Sequence, residues 1–177
     1  MNVFVRLQTG IKTVSVVGCC MTLLACEAVP TEPDVIQKAL PGKLTAGIRP
    51  VEQTLVSNQS VEVVFYLDNS TDESVSVLPW GTPLETHMSA DLFTVTKNGD
   101  EQLRYAGRVV KRAAPGAQDY QTLAVGERLE NIVTVSQGYD MRDSGDYLIS
   151  LESLNLRDAD GAVEVVVVDS SVAVSRQ

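Results

Sequence analysis

Histidine is nearly absent: His87 is the only one in 177 residues. No His-Glu-x-x-His pair exists, so a zinc site of that kind cannot be assembled from this chain. A Ser-His-Asp triad would have to recruit His87, which lies in a polar stretch between Trp80 and Asp91. Cysteine is missing beyond position 26, because Cys19, Cys20 and Cys26 are the only three. That excludes a Cys-His nucleophile pair and a disulfide framework from the rest of the chain. Neither a Gly-x-Ser-x-Gly elbow nor a phosphate-cradling glycine loop occurs. Basic residues are outnumbered, with 14 Lys and Arg against 23 Asp and Glu and a formal charge of -9. A nucleic-acid binder needs a basic stripe to displace counterions, so no nucleic-acid partner is expected. The same sign argues against a surface drawn to anionic lipid. Carboxylates are plentiful, but in so acidic a chain most form a solvated face. The expectation is a non-enzymatic protein with no catalytic residue, no metal site and no cofactor.

What is present begins with an apolar run. Arg6 and Lys12 are the only charges before Glu27, and Thr13 to Ala25 reads TVSVVGCCMTLLA. The run is too short for a membrane-spanning helix, which needs about 20 residues. Its length suits the apolar core of a secretory signal. It ends in Leu23-Leu24-Ala25-Cys26, which resembles a bacterial lipobox. That resemblance implies cleavage before Cys26 and attachment of a diacylglyceryl group to its sulfur. The plain alternative is an ordinary signal peptide in which Cys26 is incidental. Glu27, rather than Asp, points to sorting toward the outer membrane. The expected organisation is a lipoprotein signal peptide over 1–25, a lipidated Cys26 with a flexible tether over 26–43, and one domain over 44–177. Pro30, Pro33 and Pro41 interrupt any regular element in the tether.

After Gly42 the dominant signal has period two. Val61 to Leu67 is rich in β-branched and aromatic residues and is closed by the turn cluster Asp68-Asn69-Ser70-Thr71-Asp72. A short strand follows at Val75–Leu78. Phe93–Thr96 and Gln102–Tyr105 flank Lys97-Asn98-Gly99-Asp100, and Asn-Gly is a strong hairpin signal because both residues accept positive φ. Further strands are expected over 130–136, 147–154 and 163–168, with Asp158-Ala159-Asp160-Gly161 as a turn joining the last two. Asp-x-Asp-Gly also opens calcium loops, but the closing Glu of such a loop is missing in register. No long helical stripe exists. Seven to nine short strands predict an antiparallel β-sandwich. Asp143-Ser144-Gly145-Asp146-Tyr147 resembles the tyrosine corner of immunoglobulin-like domains. Tyr147 is then expected to be buried, with its hydroxyl tied to upstream backbone, and Ile149 to replace the usual second Cys.

Five blocks carry a wider resemblance: Trp80-Gly81-Thr82-Pro83, Val110-Lys111-Arg112 with Pro115, Asp119-Tyr120 with Leu123, Gly126-Glu127, and Tyr139-Asp140. In this order they resemble the amino-terminal pro-domain of bacterial deuterolysin-like (aspzincin) zinc endopeptidases, over about residues 44–175. Two positions depart from that pattern. Val125 stands where a Pro usually precedes the Gly, and Thr86 stands where Gly usually follows Glu85. The resembling stretch ends near Val174, where those precursors continue into a catalytic domain. The resemblance therefore implies a sandwich that covers a peptidase, keeps it latent or assists its folding, and no peptide-bond hydrolysis by this chain.

Each block also has a plainer reading. Trp80 can plug the core, although Pro79, Gly81 and Pro83 place it on a loop, where recognition usually resides. Lys111 and Arg112 can be two solvated charges, or Lys111 can mimic a substrate residue, since some of the resembling enzymes prefer Lys beside the cut bond. Asp119 and Tyr120 can cap a turn or lie on an interface. The residues expected to bind a partner are Trp80, Gly81, Thr82, Pro83, Lys111, Arg112, Asp119 and Tyr120. The expected partners are a zinc metallopeptidase and, through the N-terminal lipid, the cell-envelope membrane. The competing expectation is an envelope binding or structural module with no peptidase partner, since one fold hosts many functions.

Overall fold

A computed structural model describes residues 42–177. The expected signal peptide, Cys26 and all but the last two residues of the expected tether lie outside the described residues. Strands follow one another in the order β1 (Leu44–Pro50), β2 (Thr54–Leu55), β3 (Glu62–Asn69), β4 (Val75–Val77), β5 (Thr94–Lys97), β6 (Glu101–Leu103), β7 (Gln121–Leu123), β8 (Arg128–Thr134), β9 (Gly145–Ser150), β10 (Leu156–Arg157), β11 (Ala162–Val163), β12 (Val165–Asp169) and β13 (Ser171–Arg176). Helix is confined to single 3-10 turns at Ala117–Asp119 and Val135–Gln137 among the described residues.

Nine of these strands form two principal sheets, one in the order β12-β1-β3-β8 and the other β2-β13-β9-β5-β6. The pairs β4-β7 and β10-β11 are separate ribbons. The expected all-β sandwich is therefore what the chain forms. Its pairings are antiparallel except for two, β1 with β12 and β2 with β13. One core lies between the sheets. Ala46 and Ile48, Val63 and Phe65, and Val133 face it from the first sheet; Val95, Tyr147, Ile149 and Val174 face it from the second. The period-two pattern of Val61–Leu67 supplies this face, as half-buried strands require.

The Asn-Gly hairpin forms as a three-residue turn between Lys97 and Glu101, with Asn98 at φ 50° and Gly99 at φ 89°. The tyrosine corner is present. Tyr147 is buried, and its hydroxyl donates to the Asp143 carbonyl at 2.7 Å. Ile149 is fully buried where an immunoglobulin domain would place its second Cys. The Asp158–Gly161 turn also forms: the Asp158 carboxylate accepts from the N–H groups of Asp160 and Gly161, each at 2.8 Å. It closes the β10-β11 ribbon, however, and not a hairpin of the two longer strands. The strand expected over 147–154 ends at Ser150, and the 163–168 run is divided between β11 and β12.

The outer face of the first sheet is not simply solvated. Tyr66 is fully buried there, beneath the Arg128 guanidinium 4.6 Å from its ring centre. Its hydroxyl donates to Asp169, and Arg128 grips Asp68 through two nitrogens at 2.6 and 2.7 Å. Gly47 makes room for this ring, since a Cβ at that position would lie 2.2 Å from the Tyr66 hydroxyl oxygen.

Candidate partner-binding face

The loop after β4 is built by its own turn chemistry. Thr82 is its pivot and is 2% exposed. Its hydroxyl donates to the Pro79 carbonyl at 2.6 Å and accepts from the Leu84 N–H at 3.2 Å. Gly81 has φ +67°, in the left-handed region that glycine enters without steric cost. Asn131 shares the inner face of β8 with Leu129 and Val133 and reaches the loop through its amide. That amide donates to the carbonyls of Pro83 and Glu85, each at 2.8 Å. Gly81, Thr82 and Pro83 thus shape the loop, and Trp80 stands half-buried at its bend.

Glu85 organises the same loop from its far end. Its side chain is only 11% exposed. It accepts from the Gly81 N–H at 2.7 Å, from the Ser89 hydroxyl and from the Arg112 guanidinium. Arg112 in turn lies over the indole, with its guanidinium carbon 4.9 Å from the Trp80 ring. The planar guanidinium can serve carboxylate and aromatic face together, and a partly desolvated ion pair is stronger than an exposed one. Two blocks distant in sequence meet at this junction.

The block that carries Arg112 is a long irregular segment. Residues 104–116 have no regular secondary structure. Val109 is 79% exposed and Val110 41%. Lys111 is exposed, and among the described residues no ion pair joins it to a carboxylate. Three fastenings hold the segment. At its start the Tyr105 ring packs on Gly107 and Gly138, where an added Cβ would come within 2.6 Å of it. The same ring meets Tyr139 edge to face at 5.6 Å, and its hydroxyl donates to the Arg108 carbonyl at 2.8 Å. The middle fastening is the Arg112 junction. At the end, the Asp119 carboxylate accepts from the Gly116 N–H at 2.8 Å.

A groove of about 490 Å³ separates the loop from the segment, lined among others by Trp80, Glu85, His87, Arg108, Arg112 and Gln121. The single histidine is therefore in the groove, with an aromatic and guanidinium groups for neighbours. A larger hollow of about 990 Å³ lies beside β5 and β6, against Asp91, Arg104, Tyr105 and Glu152. It gathers no set of side chains with a shared chemical task. Among the described residues no group of three His, Cys, Asp or Glu stands in a metal-binding arrangement.

Of the residues singled out in the sequence, Trp80 and Arg112 meet directly and line the groove. Gly81, Thr82 and Pro83 belong to the Trp80 loop, with Thr82 and Pro83 buried in it, and Lys111 is the exposed chain neighbour of Arg112. Asp119 uses its carboxylate to cap the 3-10 turn. Tyr120 is half-buried immediately before Gln121, which lines the groove. The Tyr139-Asp140 block has a structural task. Tyr139 is buried with its hydroxyl against the backbone of Phe93, accepting from the N–H at 3.0 Å. Asp140 is paired with Arg142, whose hydrogen bonds hold its carboxyl well down, at about 2. Glu85, Asn131 and Tyr105, which shape this face, are not among the residues that the sequence marks as partner-binding. The one available signal was an acidic residue closing the Trp-Gly-Thr-Pro turn.

No family model matches the chain. An extracellular protease of Aeromonas hydrophila is 38% identical to it over 93 residues, which is 52% of this chain and 26% of that protease. The chain thus spans about a quarter of that relative's length. Over about half of its own length it is similar to part of an extracellular protease.

Proposed function

We propose that this chain is a lipid-anchored, non-catalytic domain that binds a deuterolysin-like zinc metallopeptidase. It acts in trans as a pro-domain acts in cis, keeping the enzyme latent or assisting its folding. Similarity to part of an extracellular protease supports a peptidase-related role outside the cytoplasm. The observation that carries the reading is the Glu85–Arg112–Trp80 junction. It fixes an aromatic anchor and a basic segment on one face, and leaves Val109, Val110 and Lys111 projecting in irregular chain. An aromatic anchor beside a basic group has the composition of an interface hot spot. A loop braced at both ends enters a cleft at low entropic cost. Lys111 is the substrate-like residue of the segment. In a chain of charge -9, its positive charge selects a cleft that is acidic locally.

The test is a titration of the purified full chain into an aspzincin peptidase from the same organism. Hydrolysis is expected to slow with rising chain concentration, and Lys111→Ala to weaken the effect without altering the melting temperature. No slowing, no complex on size-exclusion chromatography and no gain in peptidase refolding would together reject the proposal. An envelope module without a peptidase partner would then be the better account.

A further inference from the structure

The exposed segment contains Arg104, Arg108, Lys111 and Arg112, and the structure treats them differently. At Arg104 the chain that follows is held, by the Tyr105 ring seated on Gly107 and Gly138 and by the Ala106 N–H, which donates to the Gly138 carbonyl at 2.8 Å. A serine endopeptidase specific for Lys and Arg needs an extended, accessible backbone. It also needs a basic side chain free to enter its pocket and a scissile carbonyl free to enter its oxyanion hole. Arg108 fails the last condition, because its carbonyl accepts from the Tyr105 hydroxyl at 2.8 Å and that ring is seated on Gly107 and Gly138. Arg112 fails the second, because its guanidinium is held by the nearly buried Glu85 and lies on the Trp80 ring. Lys111 meets the conditions of accessibility, free side chain and free carbonyl. It is exposed, it lies in irregular chain after the exposed Val109 and Val110, and none of the described hydrogen bonds or ion pairs involves it.

We infer that the Lys111–Arg112 peptide bond is a processing site for an extracellular endopeptidase of the Lys/Arg-specific serine class. Water is the co-reactant. The bond between the Lys111 carbonyl carbon and the Arg112 nitrogen breaks, leaving a carboxylate on Lys111 and an amine on Arg112. The clamp directs the cut to this bond in preference to the next one, and keeps the new end at Arg112 fastened to the domain.

The product remains one body. Both principal sheets are assembled from strands on either side of the cut: β3 pairs with β8 and β1 with β12 in one, β5 with β9 and β2 with β13 in the other. The ribbon of β4 and β7 also joins the two sides. The cleaved form is a two-chain sandwich whose projecting segment is open. This inference stands apart from the proposed peptidase binding, since it needs only an accessible bond, although the cut would retire any binding that an intact segment performs.

The test is limited trypsin treatment of the purified full chain, read by intact mass and N-terminal sequencing, with only bonds within 42–177 scored. The first new N-terminus is expected to be Arg112. The two products should migrate together on a native sizing column and separate in denaturant. Lys111→Gln should lose that first cut while melting like the parent. Glu85→Gln frees Arg112 and should add a second cut, with Ala113 as its new N-terminus. A first cut at another basic residue of 42–177, or equal cutting after Lys111 and Arg112 in the parent chain, would overturn the inference. So would separation of the products under native conditions. These outcomes are read on the parent chain, so they hold even if Glu85→Gln fails to fold.

Discussion

Arg112 lies across Trp80 with 4.9 Å between its guanidinium carbon and the ring centre, while its nitrogen engages Glu85. The carboxylate is thus the common acceptor for Gly81, Ser89 and Arg112. Glu85→Ala removes that acceptor from all three donors and should cost about 1–3 kcal/mol in urea denaturation, the range for orphaned polar groups. Trp80 is the only tryptophan, so its emission reports this junction directly. An emission spectrum unchanged by Glu85→Ala would show that the stacking does not depend on the carboxylate.

Tyr147→Phe deletes the hydrogen bond to the Asp143 carbonyl and leaves the ring in place. The expected loss is about 1 kcal/mol, the usual net contribution of one such bond. Chemical denaturation of the two proteins side by side measures it, and equal midpoints would remove the tyrosine corner as a stabilising element.

Gly47→Ala should destabilise for a steric reason. The new Cβ would meet the Tyr66 hydroxyl oxygen at 2.2 Å and the Asp169 Cβ at 2.9 Å. Tyr66 cannot swing away, being fully buried under Arg128. Overpacking of this kind costs about 1–3 kcal/mol. Tyr66→Phe removes the nearest clashing atom, so a double-mutant cycle should show Gly47→Ala to be milder in that background. Strict additivity would contradict the proposed contact.

Alkali should unfold the domain through its tyrosines. Burial pushes the phenols of Tyr66, Tyr105, Tyr139 and Tyr147 up, reinforced by Asp169 at Tyr66 and by Asp91 at Tyr139. Below about pH 10 these groups are neutral in both folded and unfolded chain, and their contribution is fully present. Above about pH 10 the unfolded chain ionises first, so stability falls as pH rises toward the folded values. Melting temperature followed with tyrosinate absorbance should show both changing together. Full ionisation of these tyrosines in a still-folded protein would refute the linkage.

Cys26→Ser tests the expected anchor. The Leu23-Leu24-Ala25-Cys26 junction predicts that the variant moves from the membrane fraction to a soluble one. A variant that remains with the membranes, its signal processed normally, would reject lipidation at this position.

The features legible in the sequence were those with a local cause. The Val61–Leu67 alternation, the Asn98-Gly99 turn, the Asp158 turn and the Tyr147 corner each depend on residues close together in the chain. β1 has no strand signature in the sequence, because Leu44–Pro50 contains Gly47 and Pro50, both poor strand formers by propensity. Its reasons are tertiary: neighbours on both sides, and a glycine required beneath Tyr66. β13 alternates cleanly in burial, but its small residues follow another valine run and give no separate signal. Trp80 and Lys111 could be singled out by residue type. The Arg112–Glu85 contact that joins their two segments spans 27 positions of largely irregular chain, where no periodicity predicts who meets whom.

The two parallel pairings set the order in which this molecule can be completed. β1 needs β12 on one side, and β2 needs β13; Lys43 likewise reaches across 121 positions to Glu164. Contacts between such distant segments pay their loop-closure entropy before they return anything, and they slow folding. A chain delivered from its N-terminus, whether by a ribosome or through a membrane channel, therefore presents β1 and β2 long before their parallel neighbours arrive. The sandwich stays open during delivery and closes once residues 165–176 have emerged. The last strands to be made, β12 and β13, are thus the ones that complete both principal sheets.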